Sequence, residues 1–421
     1  MTERLYHQNS FLYDFTASLA QVRPLDGGRQ ALIFDHTAFY PLSGGQRADR
    51  GWIEFVDAAG SPLAVPKVQV VDVVEEEATG DVLHIVEAAA DVPEGAALRG
   101  FIDVELRQDH MQQHSGQHVL SACFLRLFAA ATASFHMGEE SCTIDLAIPA
   151  LTPTQLEQAE LLANQMVWED RQVLMHEATP EQARQAGVRK LPEGDFATLR
   201  LIEVRGVDLC ACCGTHVKTT GQIGHIQLRK VEKFKQGVRV EFVCGRRALT
   251  TARRDFQVLT EAAALVSGHI YELPAQVQKL LDSGKAAQKQ QQKLQDEMAE
   301  LAAQQTLSSA PLANGRKIVS AYLAVRDAAY IKLYAQKLTA LAPNVIALLG
   351  AGEGTPALVF AQSPGAGFNA GAELKTLVTA TGGRGGGAKD FAQGSVPSAE
   401  LIPELLSRAE ATARALPEFA G

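Results

Sequence analysis

The first hundred residues alternate short apolar runs with turns rich in glycine, proline and aspartate. The segments LIFDHTAFYPLSGGQRADRGWIEFV, VPKVQVVDVVEE and DVLHIVE follow this rhythm. Apolar runs of this length between turn residues are typical of antiparallel strands in a small barrel or sandwich. We therefore assign residues 1–105 to a glycine-containing β-barrel domain.

The pattern becomes helical between about residues 107 and 131, in a run without proline. A second helix is expected over 154–169, because Pro153 is a boundary signal just before it. Strands return between about 198 and 245, in ATLRLIEV, IGHIQLRKVEKF and GVRVEFVCG. We assign 106–255 to one mixed α/β domain.

The remainder of the chain changes character twice. Residues 256–308 contain a polar heptad pattern whose d column is apolar from Leu280 onward, while Gly284 and Gln291 interrupt the a column. This predicts a long linker helix that packs weakly, in a coiled coil or a hairpin. Residues 309–421 mix strand-like and helical stretches, which predicts a small α/β domain. The fold class expected for the whole chain is α+β.

Composition narrows the class of protein. Hydrophobic residues make up 46% and charged residues 21%, as in ordinary globular proteins, so wholesale disorder and collagen-like structure are excluded. No run of eighteen apolar residues is present, so no membrane association is expected. The start, MTERLYHQNSFLYDF, lacks the apolar core of a secretory signal, which favours cytoplasmic residence.

The net charge of -9 argues against coating nucleic acid by bulk electrostatics, but residues 229–247 reverse the sign locally. Seven lysines and arginines stand there against two glutamates. Such a strip can bind phosphates, although a solvated hairpin face is the alternative. The candidate phosphate contacts in the strip are Arg229, Lys230, Lys233, Lys235, Arg239 and Arg246.

A glycine-rich segment, GGRGGGAKDFAQGS, lies in the last domain. It fits the dinucleotide fingerprint only nominally, because no strand–turn–helix unit surrounds it. It is not a P-loop, since Ala388 precedes Lys389 and no Ser or Thr follows. Its backbone, with Arg384 and Lys389, could hold a nucleic-acid phosphate, and a flexible surface loop is the alternative.

Histidine and cysteine spacing points to a metal. His110, His114 and His118 lie four residues apart, so a helix presents all three on one face. Cys212 and His216 form a second pair with the same spacing. A H-x-x-x-H pair and a C-x-x-x-H pair together supply nitrogen and sulfur ligands suited to Zn²⁺. Surface histidines beside a buried cysteine cluster are the alternative.

Missing residues exclude several zinc chemistries. The H-x-x-x-H pairs enclose no glutamate, so a zincin protease is excluded, and the nucleobase-deaminase signature is absent. Cys210 and Cys213 form a C-x-x-C, but the βαβ context of a thioredoxin-like redox pair is lacking. Near the N-terminus, Gly44 and Gly45 permit close backbone approach to a ligand, or simply make a turn between strands.

Together the motifs resemble the alanyl-tRNA editing proteins (the AlaX group, long form) and the editing domain of alanyl-tRNA synthetase. Three segments carry the resemblance: Tyr40-Pro-Leu-Ser-Gly-Gly-Gln46, His114-Ser-Gly-Gln-His118 and Cys212-Cys-Gly-Thr-His216. The linker helix and glycine-rich tail resemble the C-Ala domain of the synthetase, and the resemblance covers nearly the whole chain. Nothing in the chain looks like the adenylate-forming domain.

The resemblance implies a role for each matching residue. It implies Zn²⁺ ligands His114, His118, Cys212 and His216, catalytic residues Ser115 and His136, substrate-binding residues Gly44, Gly45, Gln46, Gly214 and Thr215, and tRNA contacts at the basic strip, Arg384 and Lys389. Cys213 stands where the family has glycine, and Leu42 and Ser43 stand where Glu and Gly are common. His110 lies outside the family motif.

The implied reaction is zinc-dependent hydrolysis of the ester that joins serine or glycine to tRNA(Ala). A pocket built for alanine cannot exclude glycine and rejects serine only weakly, so a second, hydrolytic site is needed. Because four protein ligands would close a tetrahedral site, a catalytically silent zinc-containing tRNA-binding protein stays open as an alternative. A zinc hydrolase of small esters is another. A homodimer through the linker helix or the C-terminal domain is a further expectation.

Overall fold

The computed structural model describes residues 1–57, 59–87, 95–188, 191–192, 194 and 196–418. The chain divides into two compact units, Met1–Glu261 and Ala262–Gly421. The expected mixed α+β class is confirmed, with a small barrel at the start and an α/β domain at the end. The division into four domains stays a prediction. No helix within the described part of the chain is long and apolar enough to cross a membrane.

A closed six-stranded barrel forms the first part of the first unit, in the order β2-β3-β7-β6-β5-β8. The elements are β1 (Glu3–Arg4), α1 (Leu5–Gln8), β2 (Asp14–Pro24), β3 (Gln30–Phe34), β4 (His36–Thr37), β5 (Gly51–Val56), β6 (Val68–Glu76), β7 (Asp81–Val86) and β8 (Ala97–Ile102). Along β2 every second residue is buried over Phe15–Leu19, as the two-residue period of a strand requires. The buried side chains fill the barrel.

Four helices and two sheets follow the barrel among the described residues up to Leu265. The elements are α2 (Val104–Phe128), β9 (Thr132–Met137), β10 (Cys142–Leu146), α3 (Pro153–Trp168), β11 (Val173–Ala178), α4 (Pro180–Gln185), β12 (Leu199–Val204), β13 (Asp208–Ala211), β14 (Ile226–Phe234), β15 (Gly237–Cys244) and α5 (Gly245–Leu265). The sheets are β14-β15-β10-β9 and β11-β12-β13. Asp103 begins α2 three residues earlier than the sequence pattern indicates, because its side chain accepts from the Leu106 amide.

A buried ion pair ties α2 to the barrel. Arg107 and Asp49 are both fully buried, and the guanidinium Nε lies 2.9 Å from Asp49 Oδ1. Arg107 also donates to the carbonyls of Ser10 and Ala38, at 2.7 and 2.6 Å. Asp49 in turn accepts from the Tyr40 amide at 2.6 Å. The loop that carries the first family motif is therefore fixed to the helix that carries the histidines.

The second unit is built on a six-stranded sheet in the order β16-β17-β18-β19-β21-β20, in which only β17 and β18 pair in parallel among the described strands. Its elements are α6 (Leu273–Ser309), β16 (Leu312–Ala313), β17 (Arg316–Leu323), α7 (Ala328–Leu341), β18 (Val345–Ala351), β19 (Ala357–Gln362), α8 (Ala370–Ala380), β20 (Arg384–Gly387), β21 (Phe391–Ser395) and α9 (Ile402–Arg414). Helices α8 and α9 cover one face of the sheet, and α7 with the end of α6 covers the other.

The long linker helix is present as α6. The residues that it buries are not those of the a and d columns of the heptad pattern. Ala299, Ala303 and Leu307 are its buried residues, and the last two pack into the core beside α7. The d-column residues Leu280 and Leu301 stay 58% and 66% exposed. A coiled coil or a dimer through this helix therefore remains a prediction.

The glycine-rich segment is the edge strand β20, paired with β21, rather than a loop at a helix start. Close packing explains two of its glycines, Gly385 and Gly387. A Cβ on Gly385 would lie 2.7 Å from Gly394 Cα and from Leu374 of α8, and one on Gly387 would lie 2.3 Å from the Phe391 carbonyl. The helix and the strands approach each other too closely for side chains.

Candidate metal centre and its cleft

The four residues named as metal ligands come together in space. His114 and His118 lie one turn apart on α2, while Cys212 and His216 lie in the loop that follows β13. One ligand atom from each lies within 4.8 Å of the other three. The three histidines are almost fully buried and Cys212 is partly buried, so this group is one that can hold a metal ion.

The distances fit a tetrahedral zinc ion. Cys212 Sγ lies 3.5 Å from His114 Nε2 and 3.3 Å from His216 Nε2. At ordinary Zn–N and Zn–S bond lengths, a tetrahedral ion holds a nitrogen and a sulfur ligand about 3.5 Å apart. The donor set, three imidazoles and a thiolate, also favours zinc over hard cations.

Each imidazole is held through its Nδ1 atom by a side chain outside the cluster. His114 Nδ1 lies 2.7 Å from Gln46 Oε1, and His216 Nδ1 lies 3.1 Å from Ser115 Oγ. Partners of this kind fix the ring orientation and the tautomer of a ligating histidine. Gln46 and Ser115 are both fully buried. In the structure each of them positions one imidazole ring.

Burial and neighbouring groups shift the pKa values within the cluster in different directions. Burial alone raises the pKa of the Cys212 thiol, but His114 and His216 outweigh it, and the net pKa lies well below the ordinary thiol value. Burial lowers the pKa of His216 to about 3, so its ring is neutral near neutral pH, as ligation requires. Burial also lowers the pKa of His118, but Cys210 and Asp208 outweigh it, and the net pKa is raised well above 6.5.

The loop after β13 is shaped by contacts that sequence reasoning missed. Arg200 on β12 donates to the carbonyls of Cys212 and Gly214, at 2.8 and 2.9 Å. Gly214 is buried against a ligand, because a Cβ there would lie 2.1 Å from His114 Cε1. Thr215 donates its amide to Gln46 Oε1 at 3.0 Å. Gly214 and Thr215 therefore pack against the candidate metal ligands and their partner Gln46, and their role in substrate binding stays a prediction.

The first family motif forms a tight turn. Gly44 and Gly45 both have positive φ, at 57° and 81°, between the hydrogen-bonded Ser43 and Gln46. A Cβ on Gly45 would lie 2.7 Å from the Phe135 carbonyl on β9. The turn therefore packs against β9, and the Gln46 side chain continues from it into the metal cluster.

A cleft of about 750 Å³ adjoins the cluster, and His118 and Cys210 form part of its wall. Polar side chains connect across it: Gln117 Nε2 and Thr132 Oγ1 both donate to Ser121 Oγ, at 2.8 and 2.7 Å. Gln117 and Ser121 lie three and seven residues after His114, so the helical spacing of His114 and His118 was a signal that could have identified them. The lining residues are Gln117, His118, Ser121, Leu125, Ala131, Thr132, Ala133, Ser134, Phe135, Leu191, Pro192, Cys210 and Ala211.

His136 lies on β9 but is not among the residues that line this cleft. It is exposed and lines a second cavity of about 780 Å³ together with Gly45 and His110. Neighbouring Phe135 stacks on His114 with ring centroids 5.6 Å apart, and it lines the first cleft. His136 therefore lines a different cavity from the cleft beside the cluster. Its catalytic role stays a prediction.

The other cysteines and His110 are outside the cluster of four. All six cysteines are free thiols, and Cys213, the departure from the family glycine, is exposed. Cys210 instead contacts His118 Nδ1 at 3.0 Å. His110 is buried, and burial lowers its pKa to about 4.

The basic strip is largely paired within the protein. Arg239 binds Asp145 through two hydrogen bonds of 2.7 and 2.9 Å, and Arg229 binds Asp255. Lys230 and Arg246 pair with Glu232 and Glu105, each at 2.5 Å. Within the described residues, Lys233, Lys235, Arg384 and Lys389 have no ion-pair partner. The local excess of positive charge is therefore smaller than the sequence count indicates.

Comparisons with known protein families match two separate parts of this chain. Residues 199–241 match the family described as threonyl and alanyl tRNA synthetase second additional domain, and residues 315–415 match the DHHA1 domain. The chain is 28% identical to an alanine–tRNA ligase of Pyrococcus abyssi over 96% of its own length, but it spans only 43% of that ligase. Among solved structures, the C-Ala domain of alanyl-tRNA synthetase from Aquifex aeolicus matches 25% of this chain and 98% of that domain, with 16% identity and a TM-score of 0.24.

A second relative matches from end to end. The alanyl-tRNA editing protein AlaX-L of Pyrococcus horikoshii is 28% identical over 411 residues, which cover 96% of both chains. The resemblance found in the sequence motifs is thereby confirmed. The chain is thus similar to a long-form alanyl-tRNA editing protein over nearly its whole length, and to part of the alanine–tRNA ligases.

Proposed function

We propose that this protein is a trans-editing hydrolase that deacylates Ser-tRNA(Ala) and Gly-tRNA(Ala) in the cytoplasm. The proposal depends on one observation: a polar cleft of about 750 Å³ lies directly beside the candidate ligands His114, His118, Cys212 and His216. A cluster and cleft that share a wall bring a metal ion next to a bound ester. Similarity over 96% of the chain to a protein named for alanyl-tRNA editing supports the same activity.

Zinc, when bound by the four ligands, would polarise an ester carbonyl or lower the pKa of water. The protein's own groups hold that site in shape. Gln46 accepts from His114 through Oε1 and donates from Nε2 to Thr215 Oγ1 at 2.8 Å, so it fixes a ligand and the ligand loop together. Ser115 Oγ accepts the Val217 amide at 3.2 Å and contacts His216, which anchors the fourth ligand.

Selection of the amino acid is assigned to the polar side of the cleft. Ser121 Oγ accepts from Gln117 and Thr132, so its own proton is directed to a further acceptor. A seryl hydroxyl on the bound ester would supply that acceptor. Glycine fits because it is smaller than alanine, as a hydrolytic sieve requires.

The side chains proposed to contact the tRNA body are the four lysines and arginines of the candidate set that have no ion-pair partner among the described residues. Lys233 and Lys235 lie at the β14–β15 turn, and Arg384 and Lys389 flank the glycine-rich edge strand. Phosphate contacts of this kind position an RNA without reading its sequence. Arg229, Lys230, Arg239 and Arg246 would contribute only by exchanging their carboxylate partners for phosphates.

One observation favours the second candidate, a catalytically silent tRNA-binding protein. Four protein donors already surround the candidate ion, and hydrolytic zinc sites usually keep a position open. In that case zinc would stabilise the fold between α2 and the loop after β13. The cleft would then hold the tRNA end without cleaving it.

Hydrolysis of charged tRNA separates the two candidates. Zinc-loaded protein is mixed with Ser-, Gly- and Ala-tRNA(Ala), beside a His114→Ala/Cys212→Ala variant and a Cys213→Ser control. We expect deacylation of the first two substrates by the wild type and by the control, with Ala-tRNA(Ala) largely spared. Survival of all three substrates, while the protein still binds tRNA, would refute the editing function and support the silent candidate.

A further inference from the structure

Strand β13 carries two side chains of the kind that can bind a metal, Asp208 and Cys210, next to the proposed ligand His118. Asp208 and Cys210 lie two residues apart, so both project from the same face of the strand. Cys212, two residues further on, follows the strand with the same spacing. The atoms of His118, Asp208 and Cys210 all lie within 4.8 Å of one another.

Two side chains of this group approach His118 at its Nδ1 atom. Cys210 Sγ lies 3.0 Å from this nitrogen, and Asp208 Oδ2 lies 3.6 Å from it. The Cys210 thiol also contacts the Ile202 carbonyl, with 3.8 Å between sulfur and oxygen. The thiol proton therefore has an acceptor on β12, which leaves a sulfur lone pair to accept from His118 Nδ1–H.

This arrangement completes a pattern. Gln46 holds His114 through Nδ1, and Ser115 holds His216 through the same atom, in both cases with Nε2 directed at Cys212. An imidazole whose Nδ1 proton is bound by an acceptor keeps its Nε2 lone pair for a metal.

We propose that Cys210 and Asp208 are positioning residues for His118, which hold its Nδ1–H so that Nε2 faces the metal. The proposal rests on the proposed zinc cluster but not on hydrolysis. Asp208 is well placed for this role because its side chain is only 4% exposed, so its carboxylate acts on the ring with little screening by water. Cys210 is then a polar link between the cleft wall and a ligand, rather than half of a redox pair with Cys213.

The test measures zinc affinity by competition with a chromophoric chelator, on the full chain. Cys210→Ala and Asp208→Ala are each expected to weaken zinc binding by about 10- to 100-fold, the range for partners of ligating histidines. Cys210→Ser restores a hydrogen-bond acceptor and should recover most of the loss. Cys213→Ser removes an exposed thiol nearby and should leave the affinity unchanged.

Selective ¹⁵N-histidine labelling supplies a readout that general destabilisation would not move. In the zinc-loaded wild type, the His118 signals should report a protonated Nδ1 and a metal-bound Nε2, and Cys210→Ala should change the Nδ1 signal while the His114 and His216 signals keep their pattern. Wild-type affinity in both alanine variants would overturn the proposal. Binding of two zinc ions per chain, with the second lost in Cys210→Ala, would overturn it in favour of a separate metal site. A wild type that binds no zinc would instead refute the metal part of the proposed function.

Discussion

Replacing Gly214 by alanine tests how tightly the loop after β13 is packed on the metal cluster. The ideal Cβ of an alanine at this position would lie 2.1 Å from His114 Cε1 and 2.3 Å from Nδ1. Ordinary van der Waals contact begins near 3.4 Å, so the two carbons must separate by about 1.3 Å. The φ angle of Gly214 lies outside the left-handed region, so alanine meets no backbone strain there.

This displacement is large for a ligand. Metal–ligand distances are held within about 0.2 Å, so a ring displaced by about 1.3 Å no longer serves as a ligand unless the loop moves instead. Movement of the loop would displace Cys212, which lies two residues away. We therefore expect zinc affinity to fall by at least about 100-fold, which corresponds to about 2.7 kcal/mol.

The assay is a zinc competition titration, supported by the visible absorption of the Co²⁺-loaded protein, which reports the number and type of ligands. Gly284→Ala is the matched control, because a Cβ there meets nothing within 4 Å. It should bind zinc as the wild type does, and its helix should gain up to about 1 kcal/mol of stability. Zinc affinity of Gly214→Ala within threefold of the wild type, with an unchanged Co²⁺ spectrum, would refute the packing argument.

Three further results are expected. Asp49→Asn leaves the buried Arg107 charge without its carboxylate and should lower the free energy of unfolding by about 3–5 kcal/mol in urea titrations, whereas a loss below 1 kcal/mol would contradict this. Burial lowers the pKa of His84 to about 3, so between about pH 3 and 6.5 this residue is protonated only in the unfolded chain, and it should contribute about 1.4 kcal/mol per pH unit to the fall in the free energy of unfolding on acidification. In a His84→Gln variant, the free energy of unfolding should depend on pH less steeply by about 1.4 kcal/mol per pH unit. Equal pH dependence in both proteins would show that the pKa of His84 is not lowered by folding. Replacing Lys233 and Lys235 together by alanine should weaken tRNA binding and reduce its log–log salt slope by about 2, and an unchanged slope would exclude both lysines as phosphate contacts.

Local sequence patterns identified the elements that carry the cluster. A four-residue spacing puts His114 and His118 on one face of any helix, whatever surrounds it. The same holds for the short apolar runs between glycine, proline and aspartate turns that predict the barrel strands, since strands and turns favour different residue types. These features depend only on residues close in the chain, so they can be read without a structure.

The roles of the surrounding residues depend on contacts distant in the chain. Gln46 was expected to bind substrate, but it meets His114 and Thr215 across 68 and 169 positions of sequence. The basic strip looked strongly positive because its partners Asp145 and Glu105 lie far from it in the chain. His136 lines a different cavity from the cleft, which its position in the sequence does not reveal.

The sequence by itself determined the barrel, the long helix, the candidate metal ligands and the resemblance to alanyl-tRNA editing proteins, because each follows from local spacing or from motifs. Only the tertiary structure decided which groups hold the ligands: Gln46, Ser115 and Cys210 are brought to three imidazole Nδ1 atoms by the packing of the barrel and β13 around α2. The physical reason is that a hydrogen bond depends on separations of about 3 Å in space, which spacing along the chain does not encode.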